Sequence, residues 1–151
     1  MTTMIYKSPI GPLYIGEREG AISHLMFRPL DGTPGETPLL KRCAEQLDAY
    51  FAGVFQTFDL PLAPEGTSFQ RRVWETLQTI PYGETWSYKT LAQAADCPRG
   101  YRAVGLANNR NPISILIPCH RVVGASGALT GYGGGLSNKA HLLELEGIVL
   151  P

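Results

Sequence analysis

Alternating apolar and polar positions open the chain. Met4-Ile-Tyr-Lys7 and Leu13-Tyr-Ile-Gly16 flank the turn-forming run Ser8-Pro-Ile-Gly-Pro12, and Ala21 to Phe27 follows the turn Glu17-Arg-Glu-Gly20, which predicts three strands. Arg28 to Thr37 holds two Pro and two Gly and reads as a loop. The period then changes. Leu40, Cys43, Leu47, Tyr50, Phe51 and Val54 recur at helical spacings and make one apolar face, with Cys43 as a small buried hydrophobe within it. Past the turn-rich Pro61–Gly66, the stripe Phe69, Val73, Leu77 and Ile80 predicts a helix capped by Thr67 or Ser68 and ended by Pro81-Tyr-Gly83. Ser87 caps a predicted short helix over 88–95, Asp96–Gly100 makes a tight turn, and a further helix runs from Tyr101 to Asn109. Two short helices joined in this way outline a helix-turn-helix. Ile113–Ile117 reads as a buried strand and Gly124–Gly135 as a glycine-rich loop. Ser137 is the expected cap of a last helix carrying Ala140, Leu142, Leu143 and Leu145 and ending at Gly147.

The expected fold class is therefore α+β. A small strand-and-helix domain over 1–66 precedes a mostly helical domain over 67–151, of winged-helix-like type and containing the helix-turn-helix. The length of 151 residues, with 44% hydrophobic and 17% charged residues, suits a packed globular chain and argues against disorder. No apolar run approaches the ~18 residues of a membrane span, and Met1-Thr2-Thr3-Met4 has neither the basic nor the apolar region of a signal peptide. Three Cys, an odd number, suit a reducing compartment rather than a disulfide framework. A cytoplasmic protein without membrane contact is expected.

The net charge of zero conceals an uneven distribution. Residues 1–66 carry five basic and eight acidic groups, whereas residues 67–151 carry eight basic and five acidic ones. From Ser87 to Arg121, five basic residues (Lys89, Arg99, Arg102, Arg110, Arg121) face Asp96 alone. A balanced total thus leaves room for a basic face that coincides with the helix-turn-helix. The N-terminal part shows no site of its own and is expected to point away from any nucleic acid. The helix over 101–109 is slim, with Ala103, Gly105 and Ala107 in place of the long polar side chains that read bases in the major groove.

The reactive residues gather downstream. Cys119 and His120 are adjacent, between the apolar run and a loop. An ordinary thiol is only about 3% thiolate at pH 7, so a nucleophilic Cys needs a base or a positive field. His120 supplies a base, Arg121 and Lys139 supply charge, and either Glu144 or Glu146 is placed to orient the imidazole. A metal site fails on spacing, since there is neither C-x-x-C nor H-x-x-x-H and Cys119-His120 are too close to share one ion.

Phe69-Gln-x-x-Val-Trp74, Ile80-Pro-Tyr-Gly-Glu-Thr85, Ser87-Tyr88, Leu91-Ala92, Arg102-Ala-Val-Gly105, Asn111-Pro112 and Ile117-Pro-Cys-His-Arg-Val122 follow one another in order. Together they resemble the O6-alkylguanine-DNA alkyltransferases, also called methylated-DNA–protein-cysteine methyltransferases. The match is dense from Thr67 to Gly147; the N-terminal third is similar only in layout. The resemblance implies stoichiometric, irreversible transfer of an alkyl group from O6-alkylguanine, with O4-alkylthymine as a further substrate, onto Cys119. It implies that His120 helps remove the thiol proton through a water, that Glu146 orients His120, and that Asn111 ties the acceptor segment to the helix-turn-helix. Tyr88 assists nucleotide rotation and protonates the departing guanine. Arg102 enters the duplex at the flipped base, with Arg99, Ala103, Gly105, Ala107 and Arg110 also on the DNA side, the helix lying in the minor groove. Val122, Tyr132, Gly133, Gly134 and Lys139 fall around the guanine pocket.

The implied partner is double-stranded DNA containing O6-alkylguanine, met by a monomer for which cooperative binding on DNA stays open, with no cofactor and no metal. Gly133 departs from members that carry a hydroxyl residue there, which leaves extra space for larger alkyl groups. A regulator built on the helix-turn-helix would not need the Cys119 cluster or Tyr88. A non-repairing relative would lack Cys119, and a thiol hydrolase would need an oxyanion hole that the sequence does not display.

Overall fold

The computed structural model describes residues 1–54 and 57–151. Strand β1 (Thr2–Ser8) pairs antiparallel with β2 (Gly11–Arg18), and β2 pairs with β3 (Ala21–Met26). The β2–β3 turn holds Glu19 and Gly20 at φ of 53° and 79°, the left-handed pair that matches the twist of a tight hairpin. The expected loop from Arg28 contains one short element, β4 (Thr33–Pro34), which adds parallel to β1 and gives the order β3-β2-β1-β4. Proline at this edge position costs no ladder hydrogen bond.

Helix α1 (Pro38–Phe51) lies on the sheet and buries Leu40, Cys43, Leu47 and Tyr50 against Leu13, Ile15, Ile22 and Leu25. Thr37 caps it by accepting the Leu40 N–H at 3.1 Å, worth about 1 kcal/mol. Val54, expected on the same apolar face, is 78% exposed. The helix has already ended at Phe51, and Gly53 at φ 78° turns the chain away.

Helix α2 (Ser68–Leu77) starts at Thr67 with a reciprocal capping box to Gln70. It packs on α3 (Tyr88–Ala94) and α4 (Tyr101–Asn109), and Trp74 Nε1 donates to the Ala107 carbonyl at 2.9 Å to bind α2 to α4. Ser87 caps α3 through the Thr90 N–H. The stretch Trp86–Ser87 (β5) pairs in parallel with Val122–Val123 (β6), so the entry to α3 is fastened immediately after Cys119-His120-Arg121, a single 3₁₀ turn.

The expected strand over Ile113–Ile117 does not form. Ile115 adopts φ 71°, and Ile117 N–H returns to the Ile113 carbonyl at 3.0 Å, closing the segment on itself. Asn111 stabilises this turn by donating to the carbonyls of Ile113 and Ile117 and accepting from Ile113 N–H. The side chains remain buried as expected; only the backbone differs. The last helix, α5 (Leu136–Leu145), is capped not by Ser137 but by the backbone of Gly135, whose φ of 92° lets the chain enter helical geometry two residues earlier. Gly147 ends the run at φ 86°. Buried side chains from the sheet, α1, α2, α3, α4 and α5 form one continuous core.

Candidate active site

Cys119 sits at the start of the 3₁₀ turn, 4% exposed, and opens onto a cavity of about 410 Å³. Asn108, Asn111, Ser114, Tyr132 and Gly133 line the cavity with it. Met26, Phe27 and Arg28 also line it, so the N-terminal part, expected to be without a site, supplies one wall. Backbone bonds place that wall: Leu25 N–H donates to Pro112 O at 2.9 Å and Ser114 N–H donates to Leu25 O at 2.9 Å. The end of β3 is thereby joined to the segment that Asn111 organises.

Behind the thiol lies a buried relay. Glu146, just past α5, accepts from His120 Nε2 at 2.6 Å, from Arg121 Nε at 2.7 Å and Nη2 at 3.2 Å, and from Tyr50 Oη at 2.6 Å. The Gly83 N–H adds a longer contact at 3.3 Å. Burial pushes the Glu146 carboxyl up, but the hydrogen bonds from His120 and Arg121 and the Arg121 charge overcome it and hold the pKa at about 2. Glu144, the alternative orienter by spacing, is exposed. Burial also drives the His120 pKa below 6.5, against the pull of Glu146, so the imidazole rests neutral. With Nε2 bonded to Glu146, the tautomer that donates there leaves Nδ1 as the basic nitrogen, and Nδ1 has no hydrogen-bond partner among the described residues.

The Cys119 thiol is pushed up by burial and pulled back by hydrogen bonding from Asn111, the charge of Lys139 and backbone N–H groups. The thiol and imidazole are therefore both neutral at rest. Arg121, expected to lend its charge to the thiol, is instead committed to Glu146 and to the Ile80 carbonyl at 2.8 Å. Lys139 is fully buried and donates to Val122 O at 2.6 Å and Thr130 O at 3.0 Å; burial lowers its pKa to about 8. It clasps β6 to the glycine-rich loop while keeping a positive field beside Cys119.

Tyr88 is half-buried at the first turn of α3, and its hydroxyl shares a 2.6 Å hydrogen bond with Thr130 Oγ1. Gly105 of α4 passes the Tyr88 ring closely enough that a Cβ would stand 3.4 Å from it. Of the residues expected around the pocket, Tyr132 and Gly133 line the cavity, whereas Val122, Gly134 and Lys139 are not among its lining residues. Arg99, Arg102, Ala103 and Arg110 are exposed, and none of these basic groups makes an ion pair among the described residues. Ala107 departs from that face: it is 3% exposed, turned inward beside Trp74, and Tyr101, Leu106 and Asn109 complete the outer surface of α4.

Sequence reasoning missed Tyr50, Asn108 and Phe27. Nothing in their local pattern marks them, since each reaches the site only through contacts distant in the chain. Among the described residues no group of three or more His, Cys, Asp or Glu is arranged to hold a metal, and no helix is long and apolar enough to cross a membrane.

Residues 1–64 match the model of the 6-O-methylguanine DNA methyltransferase ribonuclease-like domain, and residues 68–148 match that of the DNA binding domain of the same family. The methylated-DNA–protein-cysteine methyltransferase of Methanosarcina barkeri is 51% identical over 150 residues, covering 94% of each chain. That of Mycolicibacterium paratuberculosis is 50% identical over 145 residues, covering 92% of this chain and 88% of its own. The crystal structure of Mycobacterium tuberculosis OGT in complex with DNA superposes with a TM-score of 0.90 at 47% identity, covering 97% of this chain and 92% of that one.

Proposed function

The chain belongs to the 6-O-methylguanine DNA methyltransferase family, and we propose that it repairs DNA by moving the alkyl group of O6-alkylguanine onto Cys119. The observation that carries this reading is the buried relay: Glu146 holds His120 by Nε2, and Nδ1 is left free on the residue next to the thiol. In this reading residues 67–151 form the DNA-binding and acceptor domain, of winged-helix-like type, and residues 1–66 a smaller α+β domain. O4-alkylthymine is a second substrate of the same chemistry.

An alkyl group on a stacked base is out of reach of a buried thiol, so the nucleotide leaves the stack, at a cost of about a few kcal/mol. Helices α3 and α4 act as the helix-turn-helix. The exposed side of α4 offers Ala103 and the flanking Arg102 and Arg110, which suits entry into the minor groove without base readout. Arg102 fills the place of the flipped base. Lys89 and Arg99 add positive charge on the same side, so binding weakens with salt.

His120 takes the thiol proton through a water, and Glu146 stabilises the imidazolium that results. Sγ attacks the alkyl carbon, the carbon–O6 bond breaks with its electron pair on guanine, and Tyr88 protonates the departing base. Tyr88 is supplied again with the proton first held by the thiol. The balance is Cys–SH plus O6-alkylguanine giving Cys–S–alkyl plus guanine. The thioether has no route back to the thiol, so each molecule acts once.

The test is intact-protein mass after incubation with a duplex containing O6-methylguanine. One added methyl on Cys119, with guanine restored in the duplex, is the expected result. No mass gain by folded protein with reduced Cys119 overturns the reading. In the same assay Arg102→Ala keeps reactivity toward free O6-benzylguanine and loses repair in the duplex; equal loss on both removes Arg102 from the flipping step.

A further inference from the structure

We propose that Phe27, contributed by the N-terminal part of the chain, is a specificity-determining residue whose ring limits the size of alkyl group admitted beside Cys119. The inference rests on the reading of Cys119 as acceptor and adds to it a role for the sheet. Phe27 lies just past the end of β3, two positions beyond Leu25, and packs against the core. The paired backbone bonds from Leu25 to Pro112 and Ser114 hold the end of β3 against the acceptor segment, so the ring is carried to the cavity by main chain rather than by a mobile loop.

Two contacts fix the ring there. It meets Tyr132 edge-on, with centroids 5.7 Å apart and planes at 74°. A Cβ on Gly134 would stand 2.5 Å from Phe27 Cε2, so the glycine-rich loop closes directly over the ring. Met26 and Arg28, its chain neighbours, line the same cavity. The other wall is different in kind. A Cβ on Gly133 would meet nothing within 4 Å, so that side is open. The cavity of about 410 Å³ is thus bounded firmly by the Phe27–Tyr132 pair and loosely by glycine. A substituent that grows toward the Phe27–Tyr132 side meets a fixed wall, and only the Gly133 side gives way.

Hydrophobic pockets discriminate between groups that differ by one methylene by roughly 10–200-fold. The experiment compares single-turnover rates on duplexes containing O6-methylguanine or O6-benzylguanine, for wild type, Phe27→Ala and Phe27→Trp, each normalised to the fraction that takes up methyl. Phe27→Ala is expected to raise the benzyl-to-methyl rate ratio on the order of tenfold, and Phe27→Trp to lower it by a similar factor. A residue that merely supported the Tyr132 loop would slow both substrates alike and leave the ratio in place.

A ratio within about twofold of wild type in both variants overturns the proposal, as does a fall in Phe27→Ala, which would make the ring a partner of the benzyl group rather than its limit. Should Phe27→Ala fail to fold, Phe27→Leu keeps most of the apolar area and has to move the ratio in the same direction, or the proposal falls. Failure of the acceptor reading is separate: it shows as no methyl uptake by wild type, before any variant is measured.

Discussion

Two arginine–carboxylate pairs of nearly equal length sit in opposite surroundings. Arg18 and Glu65 meet at 2.6 Å on the surface, with side chains 41% and 71% exposed. Arg121 and Glu146 meet at 2.7 Å in the interior, at 8% and 0%. The first pair is surrounded by water, which screens it and competes for both partners, and exposed pairs contribute about 0–1 kcal/mol. The second has replaced water with a full set of partners: Arg121 is completed by the Ile80 carbonyl, and Glu146 by His120 and Tyr50. Distance alone says little about what an ion pair does. The buried pair costs desolvation, and what it secures is a carboxylate that stays ionised and fixed beneath the imidazole.

Removing the buried charge should have the largest effect. Glu146→Gln leaves Arg121 buried without a counter-charge and is expected to cost about 3–5 kcal/mol, a drop in Tm of about 10 °C. Transfer should slow by about 10²–10⁴, because His120 loses its orienter. Calorimetry and single-turnover kinetics check both, and a stable, fully active Glu146→Gln would erase the contrast between the two pairs. The sign with pH follows from the carboxyl, which is held at about 2 against an ordinary value of 4.5. The folded state binds fewer protons at this group, so its contribution is complete above about 4.5 and fades as the pH falls toward about 2. The stability gap between wild type and Glu146→Gln should narrow across that window.

A middle-sized effect is expected at Tyr50. Tyr50→Phe removes one donor from Glu146 Oε2 and leaves His120 and Arg121 in place, at a cost of about 1–2 kcal/mol. With fewer donors sharing the carboxylate charge, more of it falls on His120 and raises that pKa. In wild type the acid limb of the transfer rate should lie below pH 6.5, because burial lowers the His120 pKa. In Tyr50→Phe the limb should move to higher pH. A limb that stays in place would assign Tyr50 to packing alone. The smallest effect belongs to the surface pair: Arg18→Ala should change stability by less than about 1 kcal/mol and leave the transfer rate unchanged. A loss above about 2 kcal/mol would show that exposure does not separate the pairs.

The same division between near and far governs how much was readable in advance. The β1–β3 meander, α1 and α4 follow from periods of two and about 3.6 and from turn residues, all interactions within a few positions. Cys119, His120 and Glu146 stand out by residue type, and the order of motifs around them carries the resemblance. The misses arise where a local pattern meets a distant partner. Ile113–Ile117 has the composition of a strand, yet the Asn111 side chain satisfies its backbone groups and folds it into a turn. Ser137 is a good capping residue, but Gly135 starts the helix first. Ala107 belongs to a slim helix whose inner side is claimed by Trp74 of α2.

By itself, the sequence determined the β1–β3 meander and the main helices, which thiol stands beside a base, and where basic residues outnumber acidic ones. Those properties need only neighbours in the chain. Tertiary structure alone decided that two of the eight downstream basic groups are interior, with Arg121 and Lys139 spent on buried oxygens, while Lys89, Arg99, Arg102 and Arg110 face solvent on and near the two helices. It alone brought Tyr50 to Glu146, 96 residues away, and Phe27 to the cavity of Cys119. The physical reason is common to all of these. A buried polar or apolar group takes whatever partner the packed core brings within reach, and that partner is set by the path of the whole chain.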